Sequence, residues 1–133
     1  MWYHGSRWLF AKIERRHPVD FDGNPKDGGF KAIYLTSDFG TALAFAARPE
    51  GVSHIDHENR LIYFENPKLF EPEREIYIYH IDIDSIPEER IMRISKWQAA
   101  VFDEIIPVKI EKFQAGEVTK YYRIMEYPPI KQP

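Results

Sequence analysis

The sequence contains no cysteine and no long apolar run, and each absence removes a class of protein. Without cysteine there is no disulfide framework, no thiolate nucleophile and no cysteine-ligated zinc site. No apolar stretch approaches the ~20 residues that a membrane-spanning helix requires. The first residues also lack the charged and then apolar pattern of a signal peptide. We therefore expect a cytoplasmic protein that does not contact a membrane.

An excess of positive charge is also missing. The 133 residues carry 18 Lys and Arg against 21 Asp and Glu, which gives a formal net charge of −3. This balance excludes a polybasic protein that binds nucleic acid or membranes by its overall field, although it permits a local basic groove. Aromatic residues, in contrast, are plentiful: eight Tyr, nine Phe and three Trp. Such rings fill a dense core or line a cleft for a flat ligand, and composition does not choose between the two.

The spacing of apolar residues predicts a single α+β domain over residues 1–133, because the length is that of one ordinary domain. Two short helices are expected early in the chain, one from Ser6 to about Arg15 and one capped by Ser37. A helical turn is expected near Pro87. The strands are expected to form a mainly antiparallel core at 1–5, 31–35, 61–65, 75–83, 99–111 and 118–125, the last as a hairpin partner of 104–112. Two polar stretches, 14–30 and 52–60, are predicted to be loops.

The strongest candidate for chemistry is Glu104. If residues 101–110 form one strand, alternation places Glu104 on the face that carries Phe102, Ile106 and Val108. A carboxylate buried on an apolar face costs several kcal/mol, in order of magnitude, and requires a compensating reason. The alternative is a strand end at which Glu104 reaches solvent or pairs with an Arg.

Two further segments contain candidate ligand contacts. His4, Gly5 and Ser6 form a compact hydrogen-bonding group at the end of the first predicted strand. Tyr34 ends another strand that leads into the second helix, and Phe45 lies off the apolar stripe of that helix. Tyr34 and Phe45 can therefore present two rings toward one slot.

In this order, the segments resemble the ADP-ribosyltransferases of the diphtheria-toxin and poly(ADP-ribose) polymerase type. Residues 4–7, His-Gly-Ser-Arg, match the first motif of that family. Residues 32–36 followed by 42–45 are similar to the second motif, and residues 102–108 are similar to the third. The resemblance implies an ADP-ribosyltransferase-like fold, in which two short helices pack on a split, mainly antiparallel sheet.

The resemblance also implies that NAD is the co-substrate and that no metal is needed. His4 would bind the adenine-side ribose, and the backbone of Gly5 would hold the nicotinamide amide. Tyr34 and Phe45 would sandwich the nicotinamide ring. Glu104 would bind the nicotinamide ribose and stabilise the positive charge that develops as nicotinamide leaves. His4, Tyr34 and Glu104 are thus the implied catalytic set.

Further NAD contacts follow from the same resemblance. Ser6 and Arg7 complete the first motif, and Thr41 takes the place of a Ser that many relatives use to hold the nicotinamide amide. The pyrophosphate would meet cations of the first long loop: Arg15, Arg16, Lys26 or Lys31. Phe102 stands where arginine-modifying relatives carry Glu or Gln, which makes arginine an unexpected acceptor.

The implied activity is transfer of one ADP-ribose unit to a macromolecular acceptor, a protein or a nucleic acid, and a small-molecule acceptor stays open as well. Small free-standing members of the family often act as toxins or effectors, so a neutralising antitoxin or immunity partner is implied as well. Two alternatives stay open: an NAD glycohydrolase, and a module of the same fold that binds NAD or ADP-ribose without transfer.

A metal site is the remaining alternative. His80, Asp82 and Asp84 would share one face of a strand and offer nitrogen and oxygen ligands. Their alternation with Ile81 and Ile83 is equally that of a half-exposed antiparallel strand, which is the interpretation we adopt.

Overall fold

The computed structural model of the chain describes residues 1–13, 32–51 and 53–126. Within these ranges the chain forms nine strands and one α-helix, α1 (Phe39–Ala47). The strands are β1 (Trp2–Ser6), β2 (Ile33–Thr36), β3 (Ser53–Asp56), β4 (Leu61–Phe64), β5 (Glu75–Ile81), β6 (Ile91–Arg93), β7 (Gln98–Val101), β8 (Lys109–Gln114) and β9 (Arg123–Glu126).

The strands form two sheets with α1 between them. The larger sheet has the order β6-β7-β2-β1-β5-β8 and is antiparallel throughout, whereas the smaller has the order β3-β4-β9. The first core cluster joins the buried face of α1 to Ile76 and Ile78 of β5 and to Ile62 and Phe64 of β4. The α+β class and the mainly antiparallel pairing expected from the sequence are confirmed.

Helix α1 lies where the sequence predicted the second helix, but its cap is Asp38 rather than Ser37. The Asp38 side chain accepts a hydrogen bond from the N–H of Thr41, as an N-cap residue does. The Ser37 hydroxyl instead donates to the carbonyl of Lys96 at 2.5 Å. Arg48 ends the helix in an extended conformation because Pro49 follows it.

The predicted first helix is wrong for the part of it that is described. Ser6 ends β1, residues 7–12 are irregular, and Ile13 forms an isolated bridge with Ile105. The Ser6 hydroxyl accepts the N–H of Trp8, two residues on, which is a local turn that competes with helix formation. The loop predicted over residues 14–30 lies outside the described residues.

The predicted long strand over 99–111 is also wrong, because it is two strands separated by residues 102–108. After β8 the chain forms a 3₁₀ helix, Ala115–Lys120, and β9 then runs parallel to β4 instead of pairing with 104–112. The predicted loop 52–60 contains β3. The turn near Pro87 is confirmed as a short 3₁₀ helix, Glu88–Arg90.

None of the described helices is long and apolar enough to cross a membrane.

Candidate functional site

The end of β1, the start of β2 and the end of β7 lie side by side in the larger sheet, where these three strands begin or end. We call this region the site edge. Because β2 runs antiparallel to both neighbours, Ile33 at its start lies opposite Val101 at the end of β7. The three segments that carry the family resemblance therefore reach the same edge, although they are far apart in the sequence.

His4 occupies the junction between β1 and β2. The two strands pair at Tyr3 and Thr36. His4 follows Tyr3 on β1, and its ring contacts β2, with Nδ1 3.0 Å from the carbonyl oxygen of Tyr34. A carbonyl oxygen only accepts, so Nδ1 carries the proton in this contact. In the neutral ring, Nε2 is then a hydrogen-bond acceptor, which suits a ligand hydroxyl.

Gly5 allows β1 to approach α1 more closely than any other residue would. A Cβ atom at this position would lie 2.0 Å from the carbonyl oxygen of Ala42 in the helix. Phe45, three residues beyond Ala42, has 43% of its surface exposed. Tyr34 lies on β2 opposite Ala100 and is half-buried.

Ser6 and Arg7 bind the protein's own backbone at this edge. Besides the Ser6 turn, Arg7 Nη2 donates to the carbonyl of Arg48 at 2.7 Å, which ties the end of β1 to the end of α1. The Arg48 guanidinium lies 5.5 Å from the centroid of the Phe45 ring. Burial lowers the pKa of Arg7, and burial together with the charge of Arg7 lowers the pKa of Arg48. The site edge thus contains two cations beside an exposed ring. The other cations implied for the pyrophosphate, Arg15, Arg16, Lys26 and Lys31, lie outside the described residues.

Glu104 does not occupy the buried position that alternation predicted. Its side chain is 52% exposed, and Oε2 lies 3.0 Å from Nζ of Lys12. Its neighbour Ile105 is the buried residue, at 4% exposure, whereas Ile106 is 78% exposed. The bridge between Ile105 and Ile13 places Ile105 in the core, so the buried side of this segment is the one that carries Ile105, and Glu104 and Ile106 lie on the exposed side. The expectation of a carboxylate buried on an apolar face is therefore wrong.

Thr41 also differs from the role implied for it. It is buried, and its hydroxyl donates to Oδ2 of Asp38 at 2.7 Å and lies 2.9 Å from the Tyr122 hydroxyl. These contacts belong to the first turn of α1, whereas Phe45 lies one turn further along.

Sequence reasoning missed the group that surrounds Thr41, which we call the polar cluster: Asp38, Thr41, Arg60 and Tyr122. Oδ2 of Asp38 accepts from the Tyr122 hydroxyl at 2.5 Å and from Arg60 Nη1 at 3.1 Å. The Arg60 guanidinium also lies 4.0 Å from the centroid of the Tyr122 ring. The one local signal was an N-cap residue, Asp38, three positions before Thr41. Nothing in the sequence near residues 60 and 122 indicated the rest.

The contacts of the polar cluster shift the pKa values of two of its members in opposite directions. Burial raises the pKa of the Asp38 carboxyl, but the hydrogen bonds from Tyr122, Thr41 and Arg60 outweigh burial and hold the pKa below its usual value. Burial, and then donation to Asp38, raise the pKa of Tyr122 to about 12. At neutral pH the cluster therefore contains a carboxylate and a neutral phenol.

His57 lies next to the polar cluster. Its ring stacks on Trp97 with centroids 4.7 Å apart, and Tyr122 lies edge-on at 6.5 Å. Nδ1 is buried without a hydrogen-bond partner among the described residues. Burial lowers the pKa of His57, so the neutral ring is favoured.

The residues considered for a metal do not share one strand face. β5 ends at Ile81, and the carboxylate of Asp82 accepts the N–H of Asp84 at the start of a 3₁₀ turn. Nε2 of His80 lies 2.7 Å from Oε1 of Glu111. Within the described part of the chain, no three His, Asp or Glu side chains are positioned to hold a metal ion.

No family model matches the sequence, and neither a curated protein nor a solved structure matches it.

Proposed function

We propose that the chain is an NAD-dependent mono-ADP-ribosyltransferase whose NAD site lies at the site edge. The main support for the proposal is that three segments lie side by side at the site edge: those that contain His4 and Tyr34 and the one that follows Val101. Their order in the sheet, β1 beside β2 and β2 beside β7, places the strands that carry His4 and Tyr34 next to the strand that precedes Glu104.

The groups at this edge fit the chemistry of NAD. Nε2 of His4 accepts a hydrogen bond from a ribose hydroxyl, because Nδ1 donates to the Tyr34 carbonyl. The exposed Phe45 ring and the half-buried Tyr34 ring offer stacking surfaces for nicotinamide. Arg7, at the end of β1, supplies a cation for the pyrophosphate.

Glu104 is the carboxylate proposed to act on the nicotinamide ribose. An exposed ion pair such as that with Lys12 contributes only about 0–1 kcal/mol, so the carboxylate can leave Lys12 for the substrate at little cost. During transfer the bond between ribose C1′ and the nicotinamide nitrogen breaks, and its electron pair leaves with nicotinamide. The acceptor nucleophile then bonds to C1′ and loses its proton. Glu104 stabilises the positive charge on the ribose between these events.

A module that binds NAD or ADP-ribose without transfer is the second candidate, and the exposure of Glu104 favours it. A buried carboxylate would have required a catalytic reason for its cost, whereas an exposed one paired with Lys12 does not.

The experiment is incubation with NAD labelled on the adenylate, in the presence of protein extract, nucleic acid or buffer alone. Wild type is compared with Glu104→Gln and with the control Glu88→Gln, which breaks another exposed pair, that with Arg93, at the same distance of 3.0 Å. Label on a macromolecule with wild type and Glu88→Gln, but not with Glu104→Gln, supports the transferase. Release of nicotinamide without a labelled acceptor would show a glycohydrolase in place of a transferase. Binding of NAD without its cleavage would show the non-catalytic binding module. An absence of both binding and turnover contradicts the proposal.

A further inference from the structure

A basic depression of about 460 Å³ lies beside the start of β9. Its lining includes the cations Arg60, Lys120 and Arg123 and contains no Asp or Glu. The whole chain has a net charge of −3, so a concave surface lined by three cations is more positive than the average surface of the protein. Such a surface favours an anionic ligand.

The backbone holds two of these cations side by side. The N–H of Arg123 donates to the carbonyl of Arg60 at 2.9 Å, and Arg60 has a φ of 56°, a left-handed conformation that few residues other than glycine adopt. The Arg60 guanidinium is held by Asp38 and by the carbonyl of Tyr121. Its position is therefore fixed by the fold before any ligand arrives.

The charges are only partly balanced by neighbouring acids. Asp38 pairs with Arg60, and Glu117 pairs with Lys120 at 2.8 Å. For Arg123 no carboxylate lies within ion-pair distance among residues 1–13, 32–51 and 53–126. The depression therefore keeps the uncompensated positive charge of Arg123. Lys120 contributes a second positive charge when an anionic ligand displaces Glu117 from it.

An aromatic ring lies among these cations. Tyr121 is 39% exposed, and its ring is supported by an edge-on contact with Phe39 at 5.5 Å. Cations that follow a phosphate backbone, combined with an aromatic ring on which a base stacks, are the elements of single-strand recognition. A duplex keeps its bases stacked and unavailable to such a ring.

We propose that the depression binds single-stranded nucleic acid, with Lys120 and Arg123 on phosphates and Tyr121 against a base. The site is separate from the site edge and does not depend on the NAD chemistry proposed there. It would place a nucleic-acid ligand on the protein whether or not that ligand is modified.

The test measures the binding of a fluorescent single-stranded oligonucleotide by anisotropy as a function of salt. The double variant Lys120→Gln, Arg123→Gln is compared with the control Arg93→Gln, Lys112→Gln, which removes the same charge from the larger sheet. We expect wild type and control to bind alike and the double variant to bind at least tenfold more weakly. The salt slope of the double variant should fall by about 1.4, because each phosphate contact on a single strand contributes about 0.7.

Tyr121→Leu separates stacking from charge. It should weaken binding about fivefold or more with an unchanged salt slope. The proposal is overturned if wild type does not bind at low salt, or if the two double variants bind equally. It is also overturned if polyglutamate displaces the oligonucleotide as well as unlabelled oligonucleotide does, or if a duplex binds more tightly than the single strand.

Discussion

The Tyr122 hydroxyl donates a hydrogen bond to Oδ2 of Asp38 at 2.5 Å, between residues 84 positions apart in the sequence. This bond joins the segment before β9 to the first turn of α1. Because Arg60 and Thr41 contact the same carboxylate oxygen, one acceptor links the helix, the turn before β4 and the segment before β9.

Removal of this hydroxyl should destabilise the fold. Tyr122→Phe keeps the ring but leaves a partly buried carboxylate oxygen without one of its donors. We expect a loss of about 1.5–3 kcal/mol in the free energy of unfolding, the range for a hydrogen bond to a charged group. Denaturant unfolding measures it, with Tyr121→Phe as the control because Tyr121 is partly exposed. An equal effect of the two variants would contradict the importance of the polar cluster.

The tight packing of β1 on α1 predicts the effect of Gly5→Ala. The new Cβ would meet backbone at 2.0 Å, so strand and helix must separate, at a cost of about 1–3 kcal/mol or more. Gly116→Ala is the control, since its Cβ would meet Pro72 at 3.2 Å and needs only a small adjustment. Thermal unfolding compares them. A Gly5→Ala variant as stable as Gly116→Ala would show that β1 and α1 are further apart than described.

The lowered pKa of His57 predicts a loss of stability in mild acid. Burial favours the neutral ring, so its contribution is complete above the usual pKa of about 6.5 and is lost as the pH falls through the lower folded value. The carboxyl of Asp38 responds at lower pH, because its folded pKa lies below 3.8.

His57→Phe keeps a ring against Trp97 and removes the titration. The free energy of unfolding of wild type should therefore fall more steeply between pH 7 and pH 5 than that of the variant. Parallel curves in this range would mean that the folded and unfolded pKa values of His57 are equal.

The sequence predicted those elements whose signals are local. Helix α1 was found because its apolar stripe and the Pro49 that follows it lie close together in the sequence, although its cap is Asp38 and not the predicted Ser37. Glu104 was misplaced because alternation divides residues between two faces without showing which face is buried, and here the buried face is set by the distant pairing of Ile13 with Ile105. The polar cluster could not be predicted, because Arg60 and Tyr122 meet Asp38 only after two sheets have closed on the helix.

The expected first helix shows the same limit. Ser6 is a good cap, and Leu9 and Ile13 have helical spacing, yet β5 extends β1 through Ser6 by pairing it with Tyr77. Ser6, on which the helix prediction relied as a cap, is therefore part of a strand. Local propensity is a weak prior wherever such a partner strand is available.

The central claim is that NAD binds at the site edge, and calorimetric titration of NAD into wild type, Phe45→Ala and Leu69→Ala tests it most directly. Phe45 and Leu69 are both large apolar residues with about half of their surface exposed, so neither variant should disturb the core. We predict that wild type and Leu69→Ala bind NAD alike and that Phe45→Ala binds about tenfold more weakly, the loss of one stacking ring. If wild type shows no binding, or if Phe45→Ala binds as tightly as Leu69→Ala, the site edge is not the NAD site.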